Sequence, residues 1–274
     1  MAFVQTPNLT VYYEQAGQGP PCLIISGTGS DLRLKPNVMD FPLHDLFTVT
    51  AYDQRGLGQT ISPPPPYHMA DYADDAAAVM DSLEIDHAVI FGVSFGGMVA
   101  QELALRHPAR VSRMALFCTT SGGAGGSSFP LHSLADLSVT ERATRLIMLN
   151  DTRHDSAWLQ NHPKVLEDQR DRMQKAAELS GAPNGAAAQL AARAGHDCWE
   201  RLPLISCPTF IAGGTHDGIA APDAVTRLAQ KIPNAHLRFY DGGHLFWNTA
   251  PQAIRDLRQF LTDDPHFRRG ETDA

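Results

Sequence analysis

One stretch limits the folds open to this chain more than any other. The apolar run His87-Ala88-Val89-Ile90-Phe91 leads into Gly92-Val93-Ser94-Phe95-Gly96-Gly97, and a helical pattern follows at once, up to His107 before Pro108. A strand that passes into a helix within one turn forces its central residue into strained geometry, tolerable where flanking glycines carry no Cβ to clash. Such a turn lifts the Ser94 hydroxyl clear of the sheet and sets it at a helix N-terminus, whose dipole favours developing negative charge. G-x-S-x-G alone is a weak signal; its place between a buried strand and a helix makes it specific. An ordinary Gly-Ser turn is the plain alternative.

The rest of the chain repeats that order of elements. Short β-rich runs occur at Thr10–Tyr13, Cys22–Ile25, Thr48–Tyr52, Ala88–Phe91, Met114–Phe117, Thr209–Ala212 and His236–Tyr240. Between them lie helical patterns, such as the apolar face Tyr72, Ala76, Val79, Met80, Leu83 and a final helix over Pro251–Leu261. Alternation of this kind predicts an α/β fold, a mostly parallel sheet with helices on both faces. After Thr120 the alternation stops. A glycine-rich stretch, Gly122–Ser128, leads into helical patterns at Val139–Leu149, Pro163–Leu179 and Gly185–Ala194, and strand-like sequence resumes only at Cys207. This reads as a helical insertion in the sheet. Beyond Leu261, Thr262–Ala274 reads as a polar tail.

Composition removes several function classes. With 22 basic against 30 acidic side chains the net charge is −8, and no basic cluster is present outside the tail, which excludes a nucleic-acid or anionic-membrane partner. A hydrophobic share of 43% excludes disorder. The four cysteines (Cys22, Cys118, Cys198 and Cys207) form no C-x-x-C pair, and Cys22 and Cys118 sit in apolar runs as small buried hydrophobes. The first residues show no signal-peptide pattern and no run approaches ~18 apolar residues, so a soluble, cytoplasmic protein is expected.

A serine hydroxyl needs a general base, and the base an orienting acid. In this architecture the chain order is nucleophile, acid, base. Asp217, in Gly213-Gly214-Thr215-His216-Asp217, and His244, in Asp241-Gly242-Gly243-His244, each follow the carboxyl end of a strand, where open sheets place their ligand-handling groups. The expected roles are Ser94 nucleophile, His244 base then acid, and Asp217 partner of the imidazole, with an acidic limb near pH ~6–7. Two backbone donors should meet the oxyanion: the N–H of Phe95, and that of Thr28 in the loop Ser26-Gly27-Thr28-Gly29. Asp241 is the rival acid, His216 reads as a loop residue, and His196-Asp197 reads as a structural polar pair. No metal-ligand spacing such as H-E-x-x-H is present, and no cofactor or metal is implied.

These residues together identify the chain as similar to the α/β-hydrolase superfamily, over Leu9–Leu261. Tyr52-Asp53-Gln54-Arg55-Gly56-Leu57-Gly58 resembles that family's Asp-x-Arg-Gly-x-Gly turn, and the resemblance implies a structural role for Asp53 and Arg55. It also implies that residues 1–121 and 206–274 form the core and residues 122–205 a helical cap that closes over the site and selects the substrate. Within the superfamily, Met-Ala-Phe-Val-Gln and Ser26–Leu32 are similar to 3-oxoadipate enol-lactonases, and the Ser-Phe-Gly-Gly elbow to small esterases and perhydrolases. The chain departs from the common His-Gly before the oxyanion residue, with Ser26-Gly27 there instead. The expected activity is hydrolysis of a small-molecule ester or lactone by water through an acyl-enzyme. Two alternatives stay open: C–C bond hydrolysis on the same residues, and a non-catalytic receptor on the same fold. The sequence leaves homo-oligomerisation open.

Overall fold

The computed structural model describes residues 2–179, 181–182 and 184–263; the greater part of the expected polar tail, 264–274, lies outside them. Eight strands form one sheet: β1 (Ala2–Gln5), β2 (Thr10–Ala16), β3 (Pro21–Ile25), β4 (Thr48–Tyr52), β5 (Ala88–Val93), β6 (Val111–Phe117), β7 (Thr209–Gly214) and β8 (Ala235–Tyr240). Their order is β1-β2-β4-β3-β5-β6-β7-β8. β1 with β2 and β2 with β4 run antiparallel, and the other pairs are parallel. The central strands read as continuous apolar runs because both of their faces are covered. All six residues of β5 are buried, whereas β8, at the edge, alternates half-buried with exposed positions.

Chain order and spatial order diverge at β3, which has β4 on one side and β5 on the other. Loops leave such a switch point in opposite directions and open a crevice beyond the strands' carboxyl ends. Parallel register brings the ends of β3, β5, β6, β7 and β8 to one edge: Ile25 pairs with Gly92, Val93 with Phe117, and Gly214 with Tyr240.

Helices cover both faces of the sheet. α1 (Met69–Ser82) buries Tyr72, Ala76, Val79 and Met80, the face expected from periodicity. α2 (Phe95–Arg106) is nearly all buried, and α7 (Pro222–Lys231) and α8 (Gln252–Thr262) flank the last two strands. Between β6 and β7 lie α3 (Val139–Asn150), α4 (Ser156–Asn161), α5 (Pro163–Glu178) and α6 (Gly185–Ala194), with no strand of the sheet. Phe129, Leu131 and Leu146 of this segment pack on a small second core of Leu134, Leu149 and Ile219. Periodicity missed β1, which is four residues long, together with the six-residue α4 and with α7, whose buried face is only Ala224, Val225 and Leu228. Among the described residues no helix is long and apolar enough to cross a membrane.

An aromatic cluster supports the carboxyl edge. Phe246 is fully buried, stacked on Tyr240 at 5.4 Å between centroids and set 5.1 Å from Phe117. It anchors the loop after β8 to the ends of β8 and β6. Truncation there removes a ring and leaves a cavity. Phe246→Ala is expected to cost about 3–5 kcal/mol in chemical denaturation; a loss below ~1 kcal/mol would mean that the cluster does not hold this loop.

Candidate active site

The turn after β5 is as tight as the sequence requires. Ser94 has φ 55° and ψ −114°, strained geometry for a residue with a side chain, of order 1–3 kcal/mol. It is held there from both sides. The Ser94 N–H donates to the Phe117 carbonyl at 2.8 Å, and the Ser94 carbonyl accepts from the Gly97 N–H at 2.9 Å. Gly96 allows the turn to close, since a Cβ on it would stand 1.9 Å from the Ile25 carbonyl oxygen. The start of α2 therefore touches the end of β3 backbone to backbone.

The structure brings the three expected side chains into one line. Ser94 Oγ lies 3.0 Å from His244 Nε2, and His244 Nδ1 lies 2.8 Å from Asp217 Oδ2. The other Asp217 oxygen, Oδ1, accepts the backbone N–H groups of Ile219 at 2.7 Å and Ala220 at 2.9 Å. Both carboxylate oxygens are thus fixed and the group is buried, which makes the Nδ1–H tautomer of His244 the favoured neutral form. His244 is itself pinned by the inserted segment: its N–H donates to the Asn150 carbonyl at the end of α3. Gly243 permits that contact, because a Cβ there would fall 1.8 Å from the same oxygen.

Cys118, read from sequence as a buried hydrophobe, stands at φ 46° just past β6 with its thiol against the His244 ring. Burial pushes the thiol pKa up, so it stays protonated at neutral pH. Burial also opposes the His244 imidazolium, but the Asp217 carboxylate bonded to Nδ1 favours it and outweighs burial. The imidazole pKa therefore stands above its ordinary 6.5.

The loop after β3 runs alongside Ser94, and a Cβ on Gly27 would lie 3.5 Å from the Ser94 Cβ. The turn after β4 fixes both ends of the loop. Gln54 Nε2 donates to the Ser26 carbonyl at 2.8 Å, and Asp53 Oδ1 accepts the Leu32 N–H at 2.8 Å. Asp53 Oδ2 takes the Gln59 N–H, and buried Arg55 forks onto Asp75 at 2.6 and 2.7 Å, as expected of structural residues. Phe95 opens α2, so its N–H has no acceptor within the helix. Thr28 follows Gly27, and the next N–H, of Gly29, donates to Gln189 Oε1 of α6 at 2.8 Å.

The rivals lie elsewhere. Asp241 is exposed and faces Arg153 at 2.8 Å and His216 at 3.4 Å. His196 and Asp197 do not form the expected pair: His196 is buried with Nε2 3.7 Å from Cys198 Sγ, and Asp197 accepts from the Trp199 N–H. Glu102, His196 and Cys198 bring metal-ligand atoms within 4.8 Å of one another, which no sequence spacing revealed. Arg201 already forks onto both Glu102 oxygens, at 2.8 and 2.5 Å, so that carboxylate has its cation. Cys118, Gln54 and Gln189 escaped the sequence reading because each acts through a contact between remote segments.

Comparison with known proteins agrees with this fold. The family model for the alpha/beta hydrolase fold matches residues 20–247. A poly(3-hydroxyalkanoate) depolymerase of Ectopseudomonas oleovorans is 30% identical over 240 residues, covering 86% of this chain and 82% of its own. The 3-oxoadipate enol-lactonase 2 of Acinetobacter baylyi is 26% identical over 251 residues, covering 90% and 91%. Among solved structures, the enol-lactonase from Burkholderia xenovorans LB400 superposes with a TM-score of 0.77 at 27% identity, covering 96% of this chain and 100% of that one. The chain belongs to the α/β-hydrolase family and is a hydrolase of that type.

Proposed function

We propose that this hydrolase cleaves a small-molecule ester or lactone through an acyl-enzyme on Ser94. The observation that carries the reading is the unbroken hydrogen-bonded line from Asp217 through His244 to Ser94. His244 Nε2 takes the Ser94 proton as Oγ attacks the carbonyl carbon, and Asp217 stabilises the imidazolium that forms. The tetrahedral oxyanion develops beside the start of α2, where the Phe95 and Thr28 N–H groups serve as its donors. Losing one such donor typically costs ~10²–10³ in turnover. His244 then returns its proton to the leaving alkoxide, and a water activated by the same nitrogen releases the acid. The relatives named as an enol-lactonase and a poly(3-hydroxyalkanoate) depolymerase support the lactone or ester reading.

In the same reading, residues 122–205 act as a cap over the core formed by 1–121 and 206–274. Three contacts support this: Gln189 on Gly29, the Asn150 carbonyl on the His244 N–H, and the Leu149 carbonyl on the Gly218 N–H. A cap tied to all three loops excludes water from the acyl-enzyme while the product alcohol leaves.

A fluorophosphonate is expected to add one phosphonyl mass to the wild type and none to Ser94→Ala; an unlabelled wild type contradicts the proposal. The pH profile follows from the raised His244 pKa. The base works only when neutral, and a raised pKa means that this form is lost as pH falls through a value above 6.5. Log kcat/KM for a neutral ester should rise with unit slope through a limb above pH 6.5. Asp217→Asn should lower turnover by ~10³–10⁴ and move that limb down, by removing the carboxylate and favouring the wrong tautomer. A wild-type limb below 6.5, or a fully active Asp217→Asn, runs against these roles.

A further inference from the structure

Peptide units 26–27, 27–28 and 28–29 follow one another just past β3, and carboxamides from remote segments clamp the outer two. Gln54, in the turn after β4, donates from Nε2 to the Ser26 carbonyl at 2.8 Å, which fixes the plane of the first unit. Gln189, on α6 of the inserted segment, accepts the Gly29 N–H on Oε1 at 2.8 Å, which fixes the plane of the third. Both carboxamides are buried, Gln54 being 2% and Gln189 0% exposed. The middle unit carries the Thr28 N–H, and among the described residues nothing accepts from it.

Gly29 stands at φ 68°, and a Cβ there would meet nothing within 4 Å. Crowding does not hold the loop at this residue; the bond to Gln189 does. Helix α6 reaches it from a firm seat. A Cβ on Gly185 would stand 1.9 Å from the Gly56 carbonyl oxygen, so the first turn of α6 rests backbone to backbone on the turn after β4. Gln189 lies one helical turn further on the same face. The turn that sends Gln54 to one side of Thr28 therefore also seats the helix that sends Gln189 to the other.

We propose that Gln189 is a positioning residue for the reaction: together with Gln54 it sets the tilt of the peptide unit 27–28 and so aims the Thr28 N–H at the oxyanion. The proposal rests on Ser94 being the nucleophile and Thr28 an oxyanion donor. A donor of this kind is effective only if it is fixed before the charge develops, since a loose peptide must first reorient. Gln54 belongs to the core, whereas Gln189 belongs to the inserted helices. The donor is therefore held on both sides only while α6 is seated, and the inserted segment takes part in catalysis through the loop after β3.

Gln189→Met keeps the length of the side chain and removes the acceptor. With p-nitrophenyl acetate it should lower kcat/KM about 10- to 100-fold, the loss expected when one donor is misaimed. Inhibition by trifluoroacetophenone, which forms a hemiketal oxyanion on Ser94, should weaken by the same factor. The acidic limb of the pH profile should stay in place, because the contacts of His244 are untouched. Full activity, or a fall in kcat/KM with unchanged inhibition or a shifted limb, overturns the proposal. Amide exchange followed by NMR tests the clamp without reference to turnover. After correction for intrinsic rates, the wild-type Gly29 N–H should exchange at least about 10-fold more slowly than that of Thr28, and Gln189→Met should abolish the difference. Equal rates in the wild type overturn the proposal even if the variant does not fold. If the wild type cleaves no ester, the reading of Ser94 fails by itself, and the exchange rates alone decide the clamp.

Discussion

The site depends on the contact between the start of α2 and the end of β3. With no side chain at Gly96, the turn holding Ser94 closes onto the Ile25 carbonyl, and Ser94 is kept at φ 55° by hydrogen bonds on both of its sides. The same approach lays Ser26-Gly27 beside Ser94. Strain at one residue and proximity of two loops are therefore one event, and a side chain at Gly96 would undo both. The topology supplies the rest, because the sheet switches direction at β3 and parallel register brings five strand ends to that edge.

The inserted helices are tied into this arrangement. The carbonyl of Asn150 holds the His244 backbone, that of Leu149 holds Gly218 beside Asp217, and Gln189 holds Gly29. The loops after β3, β7 and β8 each have a hydrogen bond from outside the sheet. Movement of the segment would thus reach the imidazole through backbone contacts, while the aromatic packing of Phe246 resists it from below. Charge follows the same division. Asp217 has its two backbone donors and His244, whereas buried Arg193 bonds a single carbonyl.

What could be read from the sequence was whatever local spacing encodes. Val89-Ile90-Phe91 before Gly-Val-Ser94-Phe-Gly gave both a strand and an elbow, and the Gly-rich ends of β7 and β8 marked Asp217 and His244 as loop residues at one sheet edge. Contacts between remote segments were not readable. Cys118 looks like any small apolar residue until β6 sets it against His244, and Gln54 is one amide among several until it meets the Ser26 carbonyl. Arg193 sits in an alanine-rich helix, and only packing shows it buried. The His196-Asp197 pairing failed for the opposite reason, since adjacent residues there point to different neighbours.

The central claim is that Ser94, His244 and Asp217 act as one chemical unit although they come from three separate loops. Groups that work as a unit are grossly non-additive when removed. The direct measurement is kcat for Ser94→Ala, His244→Ala and the double variant on one activated ester. If the unit exists, each single change costs nearly everything the triad supplies, and the double variant is no slower than the slower single one. Losses that multiply in the double variant would mean that the two residues contribute separately, and the proposed mechanism would not stand.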